Sequence, residues 1–189
     1  MPFLSPSGVS ELGFASVGRD VSISDRCSIY GAHAISLGDR VRIDDFAIVT
    51  AREQVTIGCY VHISAFAFVG GTFGVSVGDF ANVGIRATVL SAADDFSGHW
   101  LAGAAVPEDL RHVHGSPVTI GRFALVGTGS LILPSVTLAE GAAVGALSLV
   151  KTSLEPWTIY AGIPARRIAG RERNAEALAS DLLSREHPS

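Results

Sequence analysis

Aliphatic residues recur every six positions along most of this chain. Val17, Ile23 and Ile29 open the series; Leu37, Ile43 and Val49, then Ile57, Ile63 and Val69, then Val77, Val83 and Val89 continue it. It resumes as Ile120, Val126, Ile132, Leu138, Val144 and Val150. Four residues after many of these stands a smaller side chain: Cys27, Ala47, Ala67, Ala81, Ala87, Ala124, Ser130, Ala142 and Ser148. A large inward residue followed by a small one suits a short flat side that ends in a tight corner. Glycine directly follows several of the aliphatics (Gly18, Gly38, Gly58, Gly78, Gly84, Gly121, Gly127, Gly145), which predicts turns that need freedom in φ. A six-residue register held this long predicts a solenoid rather than a sandwich of short strands.

A longer period sets the coil. ISLGDRV, VTIGCYV and VSVGDFA begin at 35, 55 and 75, so three sides make a coil of 20 residues, with two extra residues on the third side. After position 120 the coil tightens to 18. The interruption between Val89 and Ile120 falls on that third side and predicts an enlarged corner loop over 91–117. Insertions at solenoid corners tend to gather on one face, often the binding face. Near the end, ERNAEALASDLLSRE places Ala177, Leu178, Leu182 and Leu183 at helical spacing, which predicts a short helix packed on the coils or on a neighbour. The expected division is a repeat domain over 1–171 and a helical tail over 172–189. The fold class is all-β, a parallel β-helix with a large corner loop and a short C-terminal helix.

Composition narrows the function classes. The 189 residues are 48% apolar with 21 glycines, a mix that suits a β-rich repeat. A net charge of −4 without a basic run argues against a nucleic-acid partner. The longest apolar stretches fall short of the roughly 18 residues that span a bilayer. MPFLSPSGVSELGF has no charged region leading an apolar one, so no secretory signal is expected. Cys27 and Cys59 lack a metal-type spacing, and a reduced cytoplasmic setting is the simplest expectation.

The repeat resembles the hexapeptide acyltransferases, which fold as a left-handed parallel β-helix. The resemblance covers roughly residues 10 to 171. Its most specific piece is the exit, LEPWTIYAGIPARRIAGR, similar to the terminal segment of sugar and xenobiotic acetyltransferases. LGFASVGRDVSISDRCSIYG and ADDFSG resemble a subgroup acting on sugars for surface polysaccharides. The left hand comes from the family, since ordinary crossovers favour the right. The resemblance also implies acetyl-CoA as donor and a homotrimer with active sites between neighbours.

Stacking of 20-residue coils puts Arg42, His62 and Asn82 in one outward column, with Asp44, Ser64 and Gly84 two residues on. The column reads either as a solvated edge or as part of an acceptor site; by resemblance His62 matches an acceptor-site position, with Arg42 and Asn82 as its flanking substrate contacts. The family's catalytic histidine falls on Asp94, a departure that leaves the base open. Asp94 or Asp95 could serve, if burial raises its pKa. His62 or His99 could swing in. Or the acceptor could be an amine, for which paired carboxylates suffice. The same aspartates also read as a capped turn, His99 as a loop-packing residue, and His112 and His114 as structural.

Acyl transfer needs donors for the charge that develops on the thioester oxygen. By resemblance, the backbone of Gly127, Gly145 and Ala146 lies in that region. Lys151, Arg166, Arg167, Arg171 and Arg173 reverse the chain's acidic balance near its end. By resemblance Lys151 and Arg166 match phosphate contacts, with Arg167 beside them, for the CoA phosphates. Trp157 and Tyr160 would pack on the coil or on adenine. The expected activity is acetyl transfer to an amine or hydroxyl of a sugar, free or nucleotide-linked, with no metal and no membrane. Two other readings stand beside it: a trimeric scaffold without activity, and a γ-type carbonic anhydrase. The latter needs three histidines at one zinc, and His33 and His62, 29 residues apart, break the coil register.

Overall fold

A computed structural model describes residues 2–186. The hexad aliphatics form three parallel sheets that wrap into a left-handed three-sided helix. The first side stacks Ser16–Val17, Ile35–Leu37, Val55–Ile57, Val75–Val77, Val118–Ile120 and Thr137–Leu138. The second carries Ser22–Ile23, Arg42–Ile43, His62–Ile63, Asn82–Val83, Leu125–Val126 and Ala143–Val144. The third holds Ser28–Tyr30, Ile48–Ala51, Phe68–Gly71, Thr88–Leu90, Leu131–Ile132 and Leu149–Val150. Arg42 pairs with His62 and His62 with Asn82, as a 20-residue coil requires, and Leu125 pairs with Ala143 across the tightened coil.

The interior is a stack of branched aliphatics. Ile23, Ile43, Ile63, Val83 and Val126 are fully buried one above another, and Ala47, Ala67 and Ala87 fill the corners beside them. Val17, in the first coil, departs from the pattern at 42% exposure. A short helix over Pro6–Glu11, unheralded by the hexad pattern, covers that end. Ser5 caps it by accepting from the Gly8 N–H, and Val9 is its buried contact.

The glycine reading needs correction. The glycines directly after the aliphatics are not the residues with positive φ; the left-handed corner positions lie two residues further on and include Asp20, Arg40, Tyr60, Phe80 and Phe123, with Phe46, Phe66, Arg86, Ser135 and Leu147 at the other corners and glycine only at Gly129 and Gly141. Each corner is a turn such as Ser64–Ala67, closed by the Ala67 N–H donating to Ser64 O at 3.1 Å. The left-handed residue costs about 1–2 kcal/mol for an L side chain. Two contacts offset that cost. Its N–H reaches the adjoining coil, as from Phe80 to Cys59 O at 2.9 Å. Its ring stacks on the next: Tyr60 on Phe80 at 4.8 Å, Phe80 on Phe123 at 5.3 Å, Phe46 on Phe66 at 5.0 Å. The glycines serve close approach instead. A Cβ on Gly78 would stand 2.6 Å from the Arg122 backbone nitrogen of the next coil.

The chain leaves the coils as an antiparallel pair, Thr158–Gly162 with Ala165–Gly170, turning through a cis Ile163–Pro164 bond. The helix Asn174–Glu186 then lies along the Tyr60–Phe80–Phe123–Trp157 ladder, with Ala175, Leu178, Ala179 and Leu182 facing Phe80 and Phe123. Of these only Ala179 is buried; Ala177, Leu178 and Leu182, expected to pack, are exposed. The last three residues of the expected tail, 187–189, lie outside the described residues.

Candidate active site

The long corner is a built structure. Ser91, fully buried, donates to Gly70 O at 2.7 Å and accepts from the Phe73 N–H at 2.9 Å, fixing its base. From there Ala92–Asp94 pairs antiparallel with Val113–Gly115, Asp94 opposite Val113. Alternation along this hairpin separates two faces. Asp94 and Val113 line a cavity of about 420 Å³ with Leu90, Phe96, Leu131 and Leu133. His114 lines a neighbouring one of about 480 Å³ with Phe96, Leu133, Pro134, Ser135 and Lys151. Ala93, Phe96 and Leu133 border both, so the two cavities adjoin beside the hairpin, Asp94 lining one and Lys151 the other.

The two aspartates have different surroundings. Asp95 accepts from the Ser97 hydroxyl at 2.8 Å and from the backbone N–H groups of Ser97, His99 and Trp100. The Ser97 hydroxyl leads these donors in holding its carboxyl down at about 2. Asp95 therefore caps the turn, and its carboxyl is not raised toward the range of a base. Asp94 is half-buried where it lines its cavity. His99 is exposed, with its ring edge-on to Trp100 at 6.0 Å. His112 and His114 stack at 6.3 Å, and His112 faces Trp100 at 6.0 Å. Sequence reasoning read His114 as structural and passed over Phe96. The alternation His112–Val113–His114 was the available signal, once a hairpin is granted.

On the second side, Asp44 ties the polar column together. Arg42 Nε donates to its Oδ1 at 2.7 Å, and His62 Nε2 lies 2.7 Å from its Oδ2. Asn82 Nδ2 lies 3.4 Å from His62 Nδ1, and the Arg42 guanidinium covers the Phe3 ring at 5.3 Å. Burial opposes ionisation of Asp44, but the hydrogen bonds from Arg42 and His62 together hold its carboxyl below the ordinary range. Within this chain His62 and Asp94 belong to different parts of the fold, the second side and the corner hairpin, and among the described residues no hydrogen bond joins them.

The donor-site candidates divide as well. Gly127 N–H donates to Val144 O at 2.8 Å and Gly145 N–H to Tyr160 O at 2.7 Å, so neither is available to an oxyanion, a correction to that expectation. Ala146 N–H makes no hydrogen bond among the described residues. Lys151, Arg166 and Arg167 are exposed and form no ion pair among the described residues. Arg171 is used internally: it donates to Phe123 O at 2.8 Å and Gly141 O at 3.0 Å, and its guanidinium lies 5.9 Å from the Trp157 ring. Burial lowers its pKa from the ordinary value. Trp157, 6% exposed, packs on Phe123 in the coil ladder rather than standing free for adenine. Among the described residues no group of three or more His, Cys, Asp or Glu could hold a metal, and no helix is long and apolar enough to cross a membrane.

A three-sided left-handed β-helix with a hairpin thrown out at one corner and a basic antiparallel exit is the build of the hexapeptide-repeat acyltransferases. No family model matches the sequence. The chain is, however, 40% identical over 181 residues to dTDP-4-amino-4,6-dideoxy-D-glucose acyltransferase of Escherichia coli, covering 95% of this chain and 94% of that protein. It superposes with a TM-score of 0.92 at 42% identity on AntD, an N-acyltransferase from Bacillus cereus, in complex with dTDP and 3-hydroxybutyryl-CoA, over 97% of both chains. A mutant of that enzyme in complex with dTDP-4-amino-4,6-dideoxyglucose and coenzyme A matches at 43% identity and a TM-score of 0.91, over 96% of this chain and 97% of that one. The chain belongs to the hexapeptide-repeat acyltransferases.

Proposed function

We propose that the protein transfers the acyl group of acyl-CoA to the 4-amino group of a dTDP-linked 4-amino-4,6-dideoxyhexose. The observation that carries the proposal is the pair of adjoining cavities beside the hairpin, one lined by Asp94 and the other by Lys151, in a chain similar to an acyltransferase named for that acceptor and to one bound to it. Lys151, Arg166 and Arg167 hold the donor phosphates as exposed cations. Leu131 and Leu133 flank the acyl end of these cavities, and Ala146 N–H is the donor proposed for the carbonyl oxygen.

The amine attacks the thioester carbon through its lone pair. The tetrahedral intermediate collapses by breaking the C–S bond, the amide forms, and the thiolate leaves. Asp94 orients the amine and accepts its proton, which passes to the departing sulfur, so a neutral amine and acyl-CoA become an amide and free CoA. The hydroxyls of the sugar are proposed to meet His62, with Arg42 and Asn82, across the seam of a homotrimer in which Asp94 and His62 come from adjacent copies. His99 lies at the rim of the hairpin. A cytoplasmic enzyme supplying sugars for surface polysaccharide completes the reading.

Thermal unfolding with acetyl-CoA, with CoA and without ligand tests the donor site. A ligand at about 100 times its Kd stabilises a fold by about 2.7 kcal/mol. A clear upward shift supports the reading, and none at millimolar ligand refutes it.

A further inference from the structure

We infer that Asp44 is a positioning residue of the acceptor site, which fixes the His62 ring so that Nδ1 is the nitrogen turned to substrate. The inference rests on the reading above that His62 belongs to that site. An ionised carboxylate only accepts hydrogen bonds. With Asp44 Oδ2 at 2.7 Å, His62 Nε2 must carry the proton, and the lone pair of a neutral ring sits on Nδ1.

Asp44 is itself held. Its other oxygen accepts from Arg42 Nε, its backbone N–H donates to Ile63 O at 3.0 Å, and its carbonyl closes the corner with the Ala47 N–H at 3.3 Å. Its side chain is 10% exposed against 35% for His62, so the carboxylate lies behind the ring and the ring faces outward. The partner of Nδ1 is Asn82 at 3.4 Å, a long contact that a substrate hydroxyl or amine can displace.

The fold does not demand a carboxylate at this corner. The same position in neighbouring coils is Ser24, Ser64 and Gly84. Only the coil preceding His62 carries an acid, and it reaches the one histidine in the column.

Two variants of the full-length protein, Asp44→Asn and Asp44→Ser, test this, the second installing the residue that adjoining coils already accept. Nitrogen-15 NMR of histidine-labelled protein at mildly alkaline pH reads which ring nitrogen is protonated. Steady-state kinetics with acetyl-CoA and dTDP-4-amino-4,6-dideoxyglucose reads the two substrates separately. The expected result is a single Nε2–H form in the parent, a mixture of the two tautomers in Asp44→Ser, where the acceptor is withdrawn, and a fall of about tenfold in kcat/KM for the sugar with the acetyl-CoA KM unchanged. An unchanged tautomer in Asp44→Ser overturns the positioning role while leaving the acceptor-site reading intact. A mixture with unchanged kcat/KM instead removes His62 from the acceptor site, and the inference falls with it.

Discussion

Gly121→Ala isolates what lets consecutive coils lie in contact. Gly121 opens a corner; its N–H donates to Leu138 O at 2.7 Å and its carbonyl accepts from the Ala124 N–H at 3.1 Å. An added Cβ would stand 2.7 Å from Leu138 O and 2.8 Å from both Ala139 C and Glu140 N. All three are backbone atoms of the next coil, so no rotamer change relieves the clash. A carbon–oxygen contact settles at about 3.3 Å or more, so the coils must part by roughly 0.6 Å. That stretches the Gly121–Leu138 bond and its neighbour from Thr119 N–H to Val136 O, which starts at 3.1 Å. At about 1 kcal/mol for each weakened bond, together with the strain of overpacking, the cost is about 2–3 kcal/mol. The lower entropy of an unfolded alanine returns only about 0.4–1 kcal/mol.

Gly170→Ala is the control. Gly170 has no positive φ and nothing within 4 Å of the position its Cβ would take. Only the unfolded-state effect remains there, so it should stabilise by about 0.4–1 kcal/mol. Urea unfolding followed by far-UV circular dichroism reads both, with a lower midpoint and an unchanged slope expected for Gly121→Ala. Equal stability of the two variants would refute the close-approach account of the corner glycines.

Four further outcomes follow from the site and its supports. Asp94→Asn should lower turnover about a hundredfold with acyl-CoA affinity unchanged, whereas Asp95→Asn should leave chemistry nearly intact and hasten proteolytic cutting of the 95–100 turn; reversed effects would exchange their roles. Lys151→Ala and Arg166→Ala should each raise the acyl-CoA Kd about tenfold, less at high salt; a Kd that does not move removes them from the donor site. Arg171→Ala strips the charged donor from the Phe123 and Gly141 carbonyls and should cost about 2–3 kcal/mol of stability, read by unfolding, without altering acyl-CoA affinity. Asp44 has a depressed folded pKa. Its contribution is present above the ordinary carboxylate value of about 3.9 and is lost as pH falls through the folded value. Asp44→Asn should therefore flatten the acid limb of the stability profile, and an unaltered limb would contradict the shift.

The hexad register made the coil legible in the sequence alone. It placed Arg42, His62 and Asn82 in one column, because parallel stacking maps residues 20 apart onto each other whatever their chemistry. It could not report backbone angles. A glycine after an aliphatic looks the same whether it serves a positive φ or a close contact, and in the folded chain it serves the second. The left-handed positions hold Tyr60, Phe80, Phe123 and Trp157, residues that local propensity would keep out of that conformation. Stacking between coils supports them there, and the spacing of Tyr60 from Phe80 and of Phe46 from Phe66 carried that signal. The Asp44–His62 contact crosses from one coil to the next and depends on side-chain direction at a corner, which periodicity does not encode. The adjoining cavities lined by Asp94, Phe96, His114 and Lys151 depend on antiparallel pairing inside the non-repeating loop, so no period pointed to them.

The central claim is the reaction itself, and it is tested most directly by thiol release and product mass. The purified protein is supplied with acetyl-CoA and, in separate reactions, with dTDP-4-amino-4,6-dideoxyglucose or with dTDP-glucose, whose hydroxyl replaces the amine. The account predicts stoichiometric CoA release and an N-acetylated nucleotide sugar with the amine alone. Equal release with dTDP-glucose, or none with the amine, would contradict it.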